Sequence, residues 1–219
     1  MAGSPRNSWE RGHPGRMVRA GSPRSQQSGQ EVRVPSGMII DSDLTLNQAL
    51  LGQDIPTGIH ATLELINVVY WSFDDLEHRG QIVVARDLKV EVAEIFATIR
   101  ALRFPVAQVV PVVRFGWSDD ASMAANNSSG FNYRTIAGTD RLSLHAHGRA
   151  IDINPALNPY VRGEIVEPPG AVYDPSCPGT LVGEGPVVAA FESRGWTWGG
   201  RWSTRQDWHH FERGVGNEE

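Results

Sequence analysis

Two histidines and a carboxylate make a common ligand set for catalytic zinc, with a fourth position left open for water. This chain offers such groups in two short segments. In Ser143-Leu144-His145-Ala146-His147-Gly148-Arg149-Ala150-Ile151-Asp152, an imidazole and a carboxylate stand seven positions apart. In Asp207-Trp208-His209-His210-Phe211-Glu212, a carboxylate precedes a second imidazole by three positions. A carboxylate beside the water can act as general base. If the two segments meet in space, the chain is a metallohydrolase.

The spacing constrains the backbone that must position them. On one unbroken strand, His145 and Asp152 would face opposite sides. They converge only if the chain bends between them, and Gly148 can bend it. The spacing therefore predicts one ligand on a turn and the other on a strand over residues 150–153. Ile151 and Ile153 would bury the flanks of Asp152, and an unpaired buried charge is costly. His147, two positions after His145, competes with it as ligand. Residues 208–212 read as the last strand, on which His209 and His210 would face opposite ways. Spacing leaves both pairs, His145 or His147 and His209 or His210, open.

The remaining elements follow from patterning. Residues 44–51 read as a short helix. Residues 63–73 (LELINVVYWSF) and 81–86 (QIVVAR) read as the strands of a hairpin. Asp87 is a candidate cap for a helix through residue 102, with Val92, Ile95, Phe96 and Ile99 on one apolar face. Strands are expected at 109–114 and 131–136, with a polar loop at 118–130 between them; Asp119 and Asp120 read as loop polarity. Residues 155–182 hold many Pro and Gly and read as a long irregular excursion, a kind of segment that often serves function. Pro186 suits the first turn of a helix that Gly195 closes. No repeat is visible. Strands with few helices give an α+β domain.

Composition bounds the function. The chain has 219 residues, enough for one domain, and a net charge of −5. Residues 1–36 carry six Arg against two acids amid Gly, Pro and Ser, so the rest is markedly acidic. A basic face for nucleic acid is therefore not expected. Residues 1–36 lack the apolar stretch of a secretory signal and read as a disordered leader before a catalytic domain over 37–219. Met17 is an alternative start. No apolar run approaches the length of a membrane span. The single cysteine, Cys177, cannot form an intramolecular disulfide.

The block SLHAHGRAIDINP resembles the S-x-H-x-x-G-x-A-x-D signature of the zinc D-alanyl-D-alanine carboxypeptidase family, with Ser143, His145, Gly148, Ala150 and Asp152 in agreement. That family includes the D-Ala-D-Ala dipeptidases and the L-alanyl-D-glutamate endopeptidases of phage lysins. Asp207-Trp208-His209-His210-Phe211 is similar to its second motif, an acid, two residues, His and then Phe. Residues 126–134 look like its segment carrying a substrate-facing arginine, here Arg134. GWTWGGRW at 195–202 resembles the stretch before its last motif. The resemblance covers roughly residues 60–213.

It implies one zinc per chain on His145, Asp152 and His210, with Asp207 as base and His147 and His209 as non-ligands. Arg134 would hold substrate and stabilise the oxyanion, and Ser143 would either reach substrate or satisfy a turn. Trp196, Trp198 and Trp202 would either wall a groove or pack a core edge. The implied fold is a small antiparallel sheet flanked by helices, shared with the hedgehog signalling domain. The implied activity is hydrolysis of peptidoglycan stem peptides by a monomer. Asp rather than Glu at 207 points to the L-alanyl-D-glutamate endopeptidase branch. A D-alanyl-D-alanine carboxypeptidase with the same site is the nearest rival. A zinc-stabilised binding module without turnover is the rival of another class, and the acid at 207 speaks against it. The compartment in which the chain works is not legible.

Overall fold

The computed structural model describes residues 37–214. The leader expected at 1–36 lies outside the described residues. In chain order the elements are β1 (Ile39–Ile40), α1 (Leu46–Ala49), α2 (Thr57–His60), β2 (Leu63–Trp71), β3 (Glu77–Ala85), α3 (Lys89–Ala101) and β4 (Gln108–Val109). There follow α4 (Asp119–Ala124), β5 (Asn127–Ser128), β6 (Ala150–Asp152), β7 (Tyr160–Arg162), β8 (Ile165–Glu167), α5 (Pro186–Glu192), β9 (Thr197–Trp198), β10 (Gln206–Asp207) and β11 (His210–Glu212). Helices and small sheets mix as expected. The strands form four small sheets rather than one, and two of the pairings, β1 with β3 and β4 with β5, are parallel.

The β2–β3 hairpin is the longest pairing, running in register from Leu63 opposite Ala85 to Trp71 opposite Glu77. It carries α3 on one face. Val92, Ile95, Phe96 and Ile99 are all buried, as their spacing requires, among Tyr70, Ile82 and Val84. Each such side chain contributes roughly 1.5–3 kcal/mol by leaving water. The same core continues through Ile151 and Ile153, Val187, Val188 and Phe191 of α5, and Phe211. The sheet β6-β11-β9 thus shares one core with the hairpin. On β6 Asp152 stands between the buried Ile151 and Ile153, and on β11 His210 is followed by the buried Phe211.

Four local expectations change. Asp87 does not cap α3; a 3-10 turn over Arg86–Leu88 precedes the helix, and the Asp87 carboxylate takes the Arg149 guanidinium at 2.8 and 3.0 Å instead. The strand expected at 109–114 is two residues of β4 and then a 3-10 turn over Val112–Phe115, because Pro111 has no amide to give a ladder. The strand expected at 131–136 is extended chain with a single bridge, Thr135 to Leu142. The polar loop at 118–130 contains α4, capped by Ser118, whose hydroxyl accepts from Ala121 N at 3.1 Å.

The excursion at 155–182 is also less irregular than its composition implies. β7 and β8 form a hairpin within it, and β7 pairs with β10, placing Tyr160 opposite Asp207. Asn154, at φ +46, and Asn158 stitch the excursion to the end of β6. The Asn154 amide donates to Pro105 and Gly179 carbonyls at 2.9 and 3.0 Å, and the Asn158 amide donates to Ile153 and Gly179 at 3.1 Å each.

Candidate metal centre

The bend between His145 and Asp152 is a 3-10 turn over Leu144–His147 that ends on Gly148 at φ +65. Gly148 is required twice over. Its left-handed backbone disfavours a side chain, and a Cβ there would stand 2.6 Å from Ala85 N and 2.8 Å from Val84 C. Its carbonyl accepts from Ala85 N at 2.8 Å, so the turn is tied to the end of β3. Ser143 opens the turn, its buried hydroxyl accepting from His145 N at 3.2 Å. That hydrogen bond supports the turn-satisfying reading of Ser143.

Antiparallel pairing then brings the second segment in. His210 lies directly opposite Asp152 in the β6–β11 ladder. On its other side Asp152 exchanges both backbone hydrogen bonds with Ser129, at 2.8 and 3.0 Å. The carboxylate is therefore held on a strand paired from both edges. His145 Nε2 lies 3.2 Å from Asp152 Oδ2, His210 Nδ1 lies 3.0 Å from Asp152 Oδ1, and the two ring nitrogens lie 3.2 Å apart. One ligand atom from each of His145, Asp152 and His210 falls within 4.8 Å of the others, and all three residues are buried. His147 is outside this cluster, so the structure brings together the trio that the resemblance implies.

The donor chemistry fits a cation. His145 Nδ1 donates to the Gly130 carbonyl at 2.5 Å, and His210 Nε2 faces Glu212 Oε2 at 3.2 Å. With their outer nitrogens so occupied, the inner nitrogens present lone pairs toward each other and toward a carboxylate. Three acceptors converging in a buried space need either protons or a metal between them. Without a metal, His210 carries the extra proton. Burial pulls His210 down, but the hydrogen bonds to Asp152 and Glu212 push it up to about 10. Burial likewise opposes ionisation of Asp152, and the His145 and His209 charges outweigh it, holding the carboxyl well below its usual range. A divalent ion satisfies the same set without that proton.

Asp207 and His209 are arranged differently from the sequence expectation. Residues 208 and 209 form a turn between β10 and β11, so strand alternation does not apply to them. His209 is buried, its Nδ1 donating to the Asn158 carbonyl at 2.7 Å. Its Nε2 lies 2.9 Å from Asp207 Oδ1 and 4.0 Å from Asp152 Oδ1. The contact with Asp207 is close in charge but lacks hydrogen-bond geometry, and leaves Oδ1 buried with no hydrogen-bond donor. Burial lowers His209, yet the charges of Asp207 and Asp152 raise it to about 9. Burial also works against an ionised Asp207, and the His209 charge reverses this, keeping the carboxylate ionised. His209 and Asn158 are thus supports that spacing missed; Asn158 had no signal beyond its place in a Pro-rich run.

Arg134 is placed beside the turn, its carbonyl accepting from Ser143 N at 3.0 Å. Its guanidinium meets Asp119 Oδ2 at 2.9 Å, and Asp119 Oδ1 accepts from Asn132 at 3.0 Å. Asp119 therefore has a partner at the site's edge, which its reading as loop polarity overlooked. Trp196 and Trp198 are buried in the core. Trp202 is half-buried, with its ring centroid 5.6 Å from that of His210.

Residues 137–213 match the family model described as D-alanyl-D-alanine carboxypeptidase. The similarity to this peptidase family covers 77 of the 219 residues. The match includes His145, Asp152, Asp207 and His210, that is, both motifs and the excursion between them. Comparison with curated proteins and with solved structures gives no match. The carboxypeptidase-family segment thus coincides with the part of the chain that builds the cluster, while Arg134 and Asp119 precede it. No helix among the described residues is long and apolar enough to cross a membrane.

Proposed function

We propose that the chain is a zinc-dependent peptidase of peptidoglycan stem peptides, folded like the D-alanyl-D-alanine carboxypeptidases and the hedgehog signalling domain. The observation that carries this reading is the buried trio His145, Asp152 and His210, with the ionised carboxylate of Asp207 beside it. The trio would hold the metal. Bound zinc supplies Lewis acidity toward a carbonyl and a water acidic enough to lose its proton near neutrality.

The chain's own residues do the rest. Asp207 Oδ1, a buried oxygen short of a donor, accepts a proton from the attacking water. The water oxygen bonds to the scissile carbonyl carbon, and Asp207 returns the proton to the departing amine as the C–N bond breaks. His209, held by Asn158, keeps Asp207 in its charged form. Arg134, steadied by Asp119, is assigned to the carbonyl oxygen as it gains charge. Ser143 is assigned to the turn and to the near side of the substrate.

The favoured substrate bond is L-alanyl-D-glutamate, because the base is Asp and not Glu. The description of the matching family favours a second reading, release of terminal D-alanine by the same residues. The test is metal analysis and product analysis together. The wild type should hold one zinc per chain, and His210→Ala should lose it. Asp207→Ala should keep it and lose about 10²–10⁴-fold in turnover. Full zinc in His210→Ala, or near-wild-type turnover in zinc-loaded Asp207→Ala, overturns the assignment. New D-glutamate N-termini in digested muropeptides support the endopeptidase; free D-alanine alone supports the carboxypeptidase.

A further inference from the structure

We propose that Trp202 and Arg205 form a carboxylate-binding shelf beside the metal centre, which reads a free α-carboxylate on the residue that leaves with the new amine. The proposal rests on the peptidase reading above and adds the substrate feature recognised. Its ground is one chain of contacts. The Trp202 ring lies beside ligand His210, and the Arg205 guanidinium carbon lies over the Trp202 ring, 4.4 Å from its centroid. A guanidinium held over an indole is steadied by cation–π attraction, which leaves its N–H donors free for other partners.

Arg205 differs from the other arginines near the site. Arg134 pairs with Asp119, Arg149 with Asp87, and Arg201 with Glu192. Among the described residues Arg205 forms no salt bridge and donates no hydrogen bond, so its planar donors remain available to a bidentate acceptor. It is exposed while its platform is half-buried, as suits a group that meets ligand from the solvent side. Its surroundings also call for a cation. Asp152, Asp207 and Glu212 place three carboxyl groups about the centre, and a second anion could approach only against them. One fixed positive group at the rim offsets that repulsion.

The span suits one amino-acid residue. A peptide residue advances the chain by roughly 3.5 Å, and a charge-assisted N–H···O bond adds about 2.8 Å. Those lengths are of the same order as the two ring contacts that separate the guanidinium from His210, 5.6 and 4.4 Å, so the group addressed lies on the departing residue or next to it. Both candidate bonds present that group. D-glutamate linked through its side chain keeps its α-carboxylate next to the cleaved amide, and a terminal D-alanine carries its own. The shared chemistry is a carboxylate on the departing residue.

The experiment uses zinc-loaded full-length protein and two pairs of peptides, an L-Ala-D-Glu peptide with its α-amide and a D-Ala-D-Ala peptide with its C-terminal amide. Hydrolysis is measured with each, and binding of the corresponding product acids and amides is measured by calorimetry. Wild type should favour the free acid of its preferred pair by about tenfold or more in KM or Kd, with kcat similar. Arg205→Gln should bring the acid-to-amide ratio close to one, and Arg205→Lys should keep part of the preference. An acid preference that survives Arg205→Gln, or equal acid and amide constants in wild type, overturns the shelf and leaves the peptidase reading intact. Binding that favours the acid through Arg205 without any hydrolysis supports the shelf and removes the peptidase reading. Neither binding nor hydrolysis removes both.

Discussion

Gly148→Ala tests whether the bend that brings His145 and Asp152 together is as constrained as the geometry says. The substitution adds one methyl group. At φ +65 an L-residue is strained by roughly 1–2 kcal/mol. The added Cβ would also stand 2.6 Å from Ala85 N and 2.8 Å from Val84 C. Both atoms are backbone of the hairpin's end, and Ala85 N is already bonded to the Gly148 carbonyl, so neither can swing aside. Overpacking of this kind costs roughly 1–3 kcal/mol more. The total is about 2–5 kcal/mol. At roughly 2–4 °C per kcal/mol for a chain of this size, that is a fall in Tm of roughly 4–20 °C.

The measurement belongs in chelator, so that metal binding does not contribute to the stability of either protein. Gly138→Ala is the control. Gly138 has φ +74 but nothing within 4 Å of an added Cβ, so it carries the strain of about 1–2 kcal/mol without the clash. The gap between the two variants isolates the close approach. A second readout is zinc affinity. Gly148 N donates to the His145 carbonyl at 3.0 Å, so a displaced Gly148 moves the ligand, whereas Gly138→Ala should bind zinc normally. Equal losses of stability in the two variants, or undiminished zinc affinity in Gly148→Ala, would refute the reasoning.

Two further predictions concern charge pairs away from the ligands. Asp119→Asn keeps the shape that Asn132 contacts but removes the charge facing Arg134, so kcat should fall with KM little changed; wild-type kcat would show that Asp119 does not orient Arg134 for the reaction. His78 clasps β1 to the hairpin, with Nδ1 2.9 Å from Asp41 and Nε2 3.1 Å from Asp74. Burial lowers its pKa, but the hydrogen bonds to the two carboxylates outweigh this and raise it above 6.5. The clasp's stabilisation is therefore complete below about pH 6.5 and is lost as pH rises through the folded pKa. Urea unfolding of wild type and His78→Gln should show a gap that is wide at pH 6 and narrower at pH 9, and a constant gap counts against the clasp.

The parts of the site legible in the sequence are those whose cause is local. His145, the bend at Gly148 and Asp152 lie within ten residues, and each requirement on the backbone has a residue type that meets it. The face of α3 was legible for the same reason, since one period places all four apolar side chains. Ser118 followed by two acids is an equally local cap signal for α4, obscured by reading the segment as polarity alone. The ligand choice at 209 and 210 was not local. It depended on where β11 begins, and alternation holds only within a strand. Because residues 208 and 209 turn, His209 reaches Asp207 rather than facing away.

Asp207 shows what long-range pairing adds. Its motif names it, but its position is set by Tyr160 across the β7–β10 ladder and by Asn158, whose carbonyl holds His209. Those partners lie in the Gly- and Pro-rich excursion, where neither period of two nor period of 3.6 is visible. A carboxylate placed by a distant hairpin depends on that hairpin for its distance to the trio. Asp is one methylene shorter than Glu, so a site built around it has to bring the backbone of residue 207 closer. The β7–β10 pairing and the turn at 208–209 fix where the backbone of residue 207 lies. The excursion thus positions Asp207 through long-range pairing, which its composition alone could not show.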